Sequence, residues 1–562
     1  MKKVIVFFMT LVLIFTLAGC GKKPKATIEN EDLRRSSYKF DLKVDDKDMV
    51  TKGSVLVNFY KISKKDEELV STKTLATFDE TVSVTGLESN TEYRCDVVCT
   101  YDKKSHIIYS WVITTKKDGT QYDPIILSTA EEFVNAIRND YSSDAYYKLG
   151  NDIDFSTFEE LDSEGNAKAF EGLSSTSSAA FCGNLDGAGY TIKNVTITSS
   201  TTYNGLFGYL KGTLENVNFE NIEVNVTRDS STTTYVGSVC GYGYQGKLIN
   251  VKIDGVKLNV DAKTQYVGGV VGYSFATNLD YVDAKNVDIK ATNANTSYVG
   301  GLTAYLCQNS SSRFGKIIES SVSGVASVTK TKTSYYGGLV AFVKAGASVD
   351  KAISNMDATI NAITLAKAGG LIGQINLNSV DIDLYIKNVV AMGNITLKTI
   401  KDTDVEEASD DIYVGGLIGS ATATKVESAL VDMNLDVTAK IAKEKKLYVG
   451  LIFGSGFEYH TELHKAIING SITAVTDGSD TEAEISIHGF DGAIYIDGGD
   501  EKPISTIDSA NVNYIKLDML VDGADLSYPS VETFDSALTK SELDLNVWDV
   551  KQENNKFVVN FK

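Results

Sequence analysis

From Tyr38 onward, apolar and polar residues alternate in short runs with a period of two, which predicts strands. Tyr38-Lys-Phe-Asp-Leu-Lys-Val puts Tyr38, Phe40, Leu42 and Val44 on one face. Ser54-Val-Leu-Val-Asn-Phe-Tyr, Thr81-Val-Ser-Val, Tyr93 to Thr100 and Ile107 to Thr115 follow. Strands at this spacing predict a small β-sandwich over residues 36–118. Cys95 and Cys99 fall on one strand, about 13 Å apart at the strand rise and too far for one disulfide. One stretch changes period. Ser128-Thr-Ala-Glu131 is a capping box opening a short amphipathic helix with Phe133, Val134 and Ile137.

Beyond residue 180 the pattern repeats. Tyr235-Val-Gly-Ser-Val-Cys-Gly-Tyr, Tyr266-Val-Gly-Gly-Val-Val-Gly-Tyr and Tyr298-Val-Gly-Gly-Leu-Thr-Ala-Tyr align. Asn204-Gly-Leu-Phe-Gly-Tyr precedes them, and copies at Tyr336, Ala368, Tyr413 and Tyr448 continue the series. With Gly205, Ser238, Gly269, Gly301, Gly338, Gly370, Gly416 and Leu451 equivalent, the steps are 33, 31, 32, 37, 32, 46 and 35. A second element recurs between copies. Leu214 to Val226, Leu248 to Val260 and Leu279 to Ala291 are each two alternating stretches, hinged at Asn221, Gly255 and Asn286. Asn and Gly accept the positive φ that such bends need. About three short strands per period make one coil of a parallel β-helix, and a coil buries its inner face only by stacking on others. Asn194, Asn216, Asn250 and Asn388 share a frame, consistent with either a stacked amide ladder or separate surface turns.

The Tyr-Val-Gly-Gly-Leu-Val-Gly pattern resembles the GLUG motif of bacterial surface β-helix proteins, over roughly residues 181–454. The resemblance implies a right-handed parallel β-helix at the cell surface, in which the motif is scaffold. Gly86-Leu-Glu-Ser-Asn-Thr-Glu-Tyr93 resembles the loop before strand F of fibronectin type III domains, with Tyr93 as the tyrosine corner. Trp111-Val-Ile-Thr-Thr is similar to their last strand.

The first residues give an address. Met1-Lys-Lys is followed by an apolar run from Val4 to Leu17, short of the roughly 20 residues that span a bilayer. Leu17-Ala-Gly-Cys20 resembles the lipobox of bacterial lipoproteins, which implies cleavage before Cys20 and diacylglyceryl modification of its sulfur. The expected order is a signal peptide at 1–19, a polar tether at 20–35, the fibronectin type III-like sandwich at 36–118, and a solenoid cap with its helix at 119–180. The repeat β-helix follows at 181–505, and a last coil and cap at 506–562, with Trp548 plugging the final coil.

Composition narrows the function. The 562 residues carry 74 Asp plus Glu against 54 Lys plus Arg, a formal charge of −20, which argues against a nucleic-acid partner. The excess of Lys over Arg suits a low-GC, Gram-positive-like bacterium. Candidate chemistry is sparse. His460-Thr-Glu-Leu-His464 places its Glu one position late for a zinc-protease helix. The six Arg at 34, 35, 94, 138, 228 and 313, with Asp410-Asp411 and His488, form no recognisable polysaccharide-cleaving set. The acidic turns Asp477-Gly-Ser-Asp480, Asp497-Gly-Gly-Asp500 and Asp522-Gly-Ala-Asp525 read as ordinary turns, not Ca²⁺ loops. Tyrosine is the surplus, 29 in all. Tyr235, Tyr266, Tyr298, Tyr413 and Tyr448 recur at one repeat position; facing outward they would form an aromatic strip suited to glycan or protein contact, and the favoured expectation is that they fill the core.

The reading is an all-β, lipid-anchored cell-surface protein that binds an extracellular glycan or protein without catalysis, metal or cofactor. Cys20 alone is assigned a role, lipidation. The alternative is a carbohydrate-active or proteolytic surface enzyme with an unrecognised site on the β-helix flank.

Overall fold

The computed structural model describes residues 23–562 except 35–36, 46, 64–65, 117–118, 141–143, 309–314, 345–346, 377–384, 401–410, 423, 458–460, 477, 491–493, 498–499, 504–505, 508–511, 528–532 and 541–542. It divides into two compact units, 1–125 and 126–562.

In the first unit, three strands (Ala26–Leu33, Ser37–Val44, Asp79–Thr85) and four more (Glu67–Thr74, Leu56–Ile62, Glu92–Tyr101, Lys104–Thr114) form two antiparallel sheets. The alternation read from Tyr38 to Val44 holds: these four apolar residues are fully buried. Trp111 packs edge-on to Phe40 at 5.4 Å, and its indole N–H donates to Tyr38 Oη at 3.1 Å. The Tyr93 hydroxyl accepts the Glu88 N–H at 2.8 Å, as a tyrosine corner does. Cys95 and Cys99 share the Glu92–Tyr101 strand, buried and unpaired. The tether expectation for 20–35 needs correction. Ala26–Leu33 is a strand paired antiparallel to Ser37–Val44. Its charged residues face solvent, and only Ala26, Ile28 and Leu33 reach the core, so an edge strand looked like a tether.

The second unit is a β-solenoid. One parallel ladder runs coil on coil from Tyr146–Leu149 to Val512–Val521, and eight strands from Phe207–Leu210 to Phe453–Phe457 form a second parallel sheet. The ladder thus begins inside the segment expected to be cap. The helix Ala130–Asp140 caps this end, with Phe133 packed on Phe155 and Phe207. Inside, Leu214, Leu248, Leu279, Ile317, Val349, Ile386, Val426 and Leu463 stack as one column of fully buried side chains. Each contributes about 1.5–3 kcal/mol by burial.

The repeat glycines sit where coils touch. A Cβ on Gly269 would lie 2.1 Å from the Gly301 carbonyl oxygen. Gly301, Gly338 and Gly370 stand in the same relation to the next coil, at 2.0–2.1 Å. At one corner, Asn216, Asn250, Tyr281, Glu319, Lys351, Asn388, Ser428 and Lys465 succeed one another in register, all at φ between 45° and 59°. Asn194 does not belong to this column, as the shared frame had suggested. It stacks with Asn221, Gly255 and Asn286 at a second corner, also at positive φ. One amide-to-amide step forms at each corner. Asn250 donates to Asn216 at 2.8 Å, and Asn221 donates to Asn194 at 3.2 Å.

Trp548 does not plug the last coil. It is buried in a cluster with Ile353, Val390, Leu430 and Ile467, which stack in register along one flank. The helix Phe534–Lys540 and hairpin Trp548–Glu553/Lys556–Phe561 lie over this stripe. In earlier coils the same column carries Lys252, Asp283 and Ser321. The outward face turns apolar where the C-terminal segment covers it.

Candidate binding surface

The repeat tyrosines Tyr235, Tyr266 and Tyr298 are not core residues. They keep partial exposure, while their neighbours Val236, Val267 and Val299 are fully buried. Parity puts the valines inside and the rings outside. In register, Tyr203, Tyr235, Tyr266, Tyr298 and Tyr335 stack with centroids 4.4–5.4 Å apart and rings within 24° of parallel. Six residues on in the first coil and seven in the others, a second column rises: Tyr209, Tyr242, Tyr273, Tyr305 and Phe342, spaced 4.5–4.9 Å. The columns meet edge to face, Tyr235 to Tyr242 at 5.1 Å and Tyr266 to Tyr273 at 5.3 Å. Both geometries suit the ring quadrupole. The second column was overlooked in the sequence. Its signal was the Tyr-x₆-Tyr spacing of the copies that begin at Tyr235, Tyr266 and Tyr298.

Stacking has a consequence for recognition. Neighbours cover the flat faces of interior rings, so what the strip presents is ring edges. Burial, with neighbouring phenols adding to it, pushes the Tyr209 and Tyr335 hydroxyls up to about 12, and those of Tyr242, Tyr266, Tyr273 and Tyr305 further.

The double column ends after Phe342. The next members are Lys367 and Gln374, then Tyr413 with Ser420 and Tyr448 with Ser455. Tyr413 and Tyr448 meet edge to face at 5.5 Å and are buried at 3% and 2% exposure, as the core expectation had it. The Lys367 ammonium lies 5.2 Å over the Tyr413 ring, and burial lowers its pKa against the pull of Asp411.

Among the described residues, the remaining candidates do not converge. Cys20, Arg35, Arg313, Asp410, His460 and Asp477 lie outside the described residues. His464 is on the strand Glu462–Val475, beside Glu427 of the preceding coil, and not on a helix. Asp522 accepts from the Thr476 N–H and hydroxyl at 2.7 and 2.6 Å, and Asp525 from the Ser527 N–H at 2.9 Å, which is turn chemistry. Asp411 accepts from Tyr413 and from the Lys446 N–H. Among the described residues, no group of three His, Cys, Asp or Glu could hold a metal ion, and no helix is long and apolar enough to cross a membrane.

No family model matches this chain, and no curated protein matches it. Among solved structures it is similar to two crystal structures of pectate lyase Pel3 from Pectobacterium carotovorum, at 10% identity over 88% of this chain and 100% of that one. The TM-scores are 0.12 and 0.14, too low to carry an argument.

Proposed function

We propose that the chain is a lipid-anchored cell-surface protein that binds an extracellular glycan or protein along its solenoid flank, without catalysis. The Leu17-Ala-Gly-Cys20 segment supports the anchor, and the Tyr-Val-Gly-Gly repeats support a GLUG-type surface scaffold. The fibronectin type III-like sandwich is then a spacer between lipid and solenoid. The observation that carries the binding reading is the double column of aromatic rings from Tyr203 to Phe342, partly exposed at every member except the buried Tyr209. Tyrosine gives large amphipathic contact area with few rotors to freeze. Here stacking has already ordered those rotors, which lowers the entropy cost of binding. A straight strip at the coil spacing suits an extended partner, a glycan chain or an extended peptide. The test is a glycan and matrix-protein array probed with the chain and with ring variants, alongside palmitate labelling of a Cys20→Ser variant. Binding that follows the rings, and a lipid label that follows Cys20, are the expected results. Membrane retention of unlabelled protein would remove the anchor.

A further inference from the structure

At the capped end of the solenoid, a cavity of about 230 Å³ is lined by Arg138, Glu160, Lys168, Gly172, Ser174 and Ser175 among others. Three elements build it. Arg138 comes from the last turn of the helix Ala130–Asp140, and Glu160 and Lys168 from a short hairpin. Ser174 comes from a segment fastened to the first coil, where Leu173 N–H donates to Leu206 at 2.8 Å and its carbonyl accepts from Gly208 at 2.6 Å. That fastening holds Ser174 at φ 54°, a conformation uncommon for a side-chain-bearing residue.

Two polar atoms here are spoken for by nothing in the protein. The Glu160 side chain is only 9% exposed. Its Oε1 accepts from Arg138 at 2.8 Å, while its Oε2 is buried without a partner, as is Ser174 Oγ. A buried carboxylate oxygen without a donor costs several times an ordinary hydrogen bond's net worth, so its neighbourhood is unusual. A carboxylate only accepts, a serine hydroxyl does both, and Arg138 has donors beyond those given to Glu160 and Gly172. The ligand must therefore donate at one point and accept at an adjacent one. Charge selects further. Arg138 and Lys168 balance Glu160 and Glu171, so neither an anion nor a cation is favoured. Two carboxylates offset by two cations are not a Ca²⁺ shell.

We propose that this cavity binds one neutral sugar residue, through adjacent hydroxyls that donate to Glu160 Oε2 and accept from Ser174 and Arg138. The volume lies below the roughly 300–1,000 Å³ of drug-sized pockets, which limits the occupant to about a monosaccharide. The proposal deepens the surface-binding reading by naming a sugar class, and rests on that reading. It concerns the cap and not the aromatic strip.

The experiment titrates the full chain with methyl glycosides of the common neutral hexoses, with inorganic phosphate and Ca²⁺ as charged comparisons, by saturation-transfer NMR and calorimetry. A dozen non-hydrogen atoms at ordinary ligand efficiency give a Kd on the order of 1 mM. In Glu160→Gln, Arg138 holds the amide oxygen and turns the NH₂ toward the cavity. A donor then replaces the acceptor, and affinity should fall about tenfold or more. Ser174→Gly removes the hydroxyl and relieves the backbone, so it should fold as well as the parent and bind about two- to tenfold more weakly. Saturation by at least one glycoside, weakened in both variants, supports the site. No saturable glycoside binding, preference for phosphate or Ca²⁺, or unchanged binding in Ser174→Gly would overturn it. Array binding that survives in Ser174→Gly while no glycoside saturates keeps the flank reading and removes this site. Glycoside binding without array binding does the reverse.

Discussion

The amide N–H of Phe557 donates to the carboxylate of Asp432 at 2.6 Å, across 125 residues of chain. Asp432 also accepts from the Asn469 side chain at 2.8 Å, and Asn469 donates to the Asn555 carbonyl at 2.9 Å. These bonds fix the C-terminal hairpin over the stripe Ile353, Val390, Leu430 and Ile467. Asp432→Ala should leave buried donors unmet and weaken this clamp by about 1.5–3 kcal/mol. Trp548 and Trp111 are the only tryptophans, so Trp111→Phe leaves Trp548 as the reporter. Its emission should shift red at lower denaturant in the Asp432→Ala background, before the far-UV β signal of the solenoid is lost. Coincident loss of both signals at the parental midpoint would show that the clamp does not rest on this carboxylate.

Gly269→Val tests the coil contacts. Its Cβ would lie 2.1 Å from the Gly301 oxygen and 2.9 Å from a Val287 methyl, both held by the stack. Overpacking of this kind costs about 1–3 kcal/mol, more where backbone cannot yield. Coils support one another as nearest neighbours, so hydrogen-exchange protection should fall first in the adjacent coils and last near the caps. Parental melting would contradict the close approach.

The corner column gives a prediction of the opposite sign. Tyr281 sits at φ 59° and is 51% exposed, between Asn250 and Glu319 in register. The left-handed conformation costs most side chains about 1–2 kcal/mol, and Asn less. Tyr281→Asn should stabilise the chain by about 1 kcal/mol, and it extends the amide ladder by one step from Asn250. A lower melting temperature for this variant would contradict the reading of the corner.

Much of the fold was readable because the solenoid writes one constraint many times. Gly269, Gly301, Gly338 and Gly370 each abut the next coil, and each appears as a Gly in the repeat. The corner was readable only where Asn216, Asn250 and Asn388 occupy it. Tyr281, Glu319, Lys351, Ser428 and Lys465 adopt the same φ because the stack imposes it, and nothing in those residues announces a bend. The flank under the clamp left a signal that alternation alone passes over. Ala352-Ile-Ser, Val389-Val-Ala, Ala429-Leu-Val and Ala466-Ile-Ile interrupt the period of two, and their middle residues are the covered ones. The tyrosines were misjudged for a related reason. Both faces of Tyr266-Val-Gly-Gly-Val-Val-Gly-Tyr are apolar, so alternation alone named no inside, and it is burial in the folded stack that separates Val267 from Tyr266. The Ser174 cavity had no sequence signal, since its residues come from three unrelated segments.

The proposed function makes the aromatic strip the binding face. The most direct measurement compares the parent with the triple variant Tyr235→Phe, Tyr266→Phe, Tyr298→Phe on the glycan and matrix-protein array. Phenylalanine keeps the stacking and the fold and removes three hydroxyls from the strip. The parent should bind at least one glycan or protein, and the triple variant should melt like it yet bind about tenfold or more weakly, the combined loss of several neutral hydrogen bonds. Equal binding by the triple variant, or turnover of a bound polysaccharide or protein, would contradict the claim.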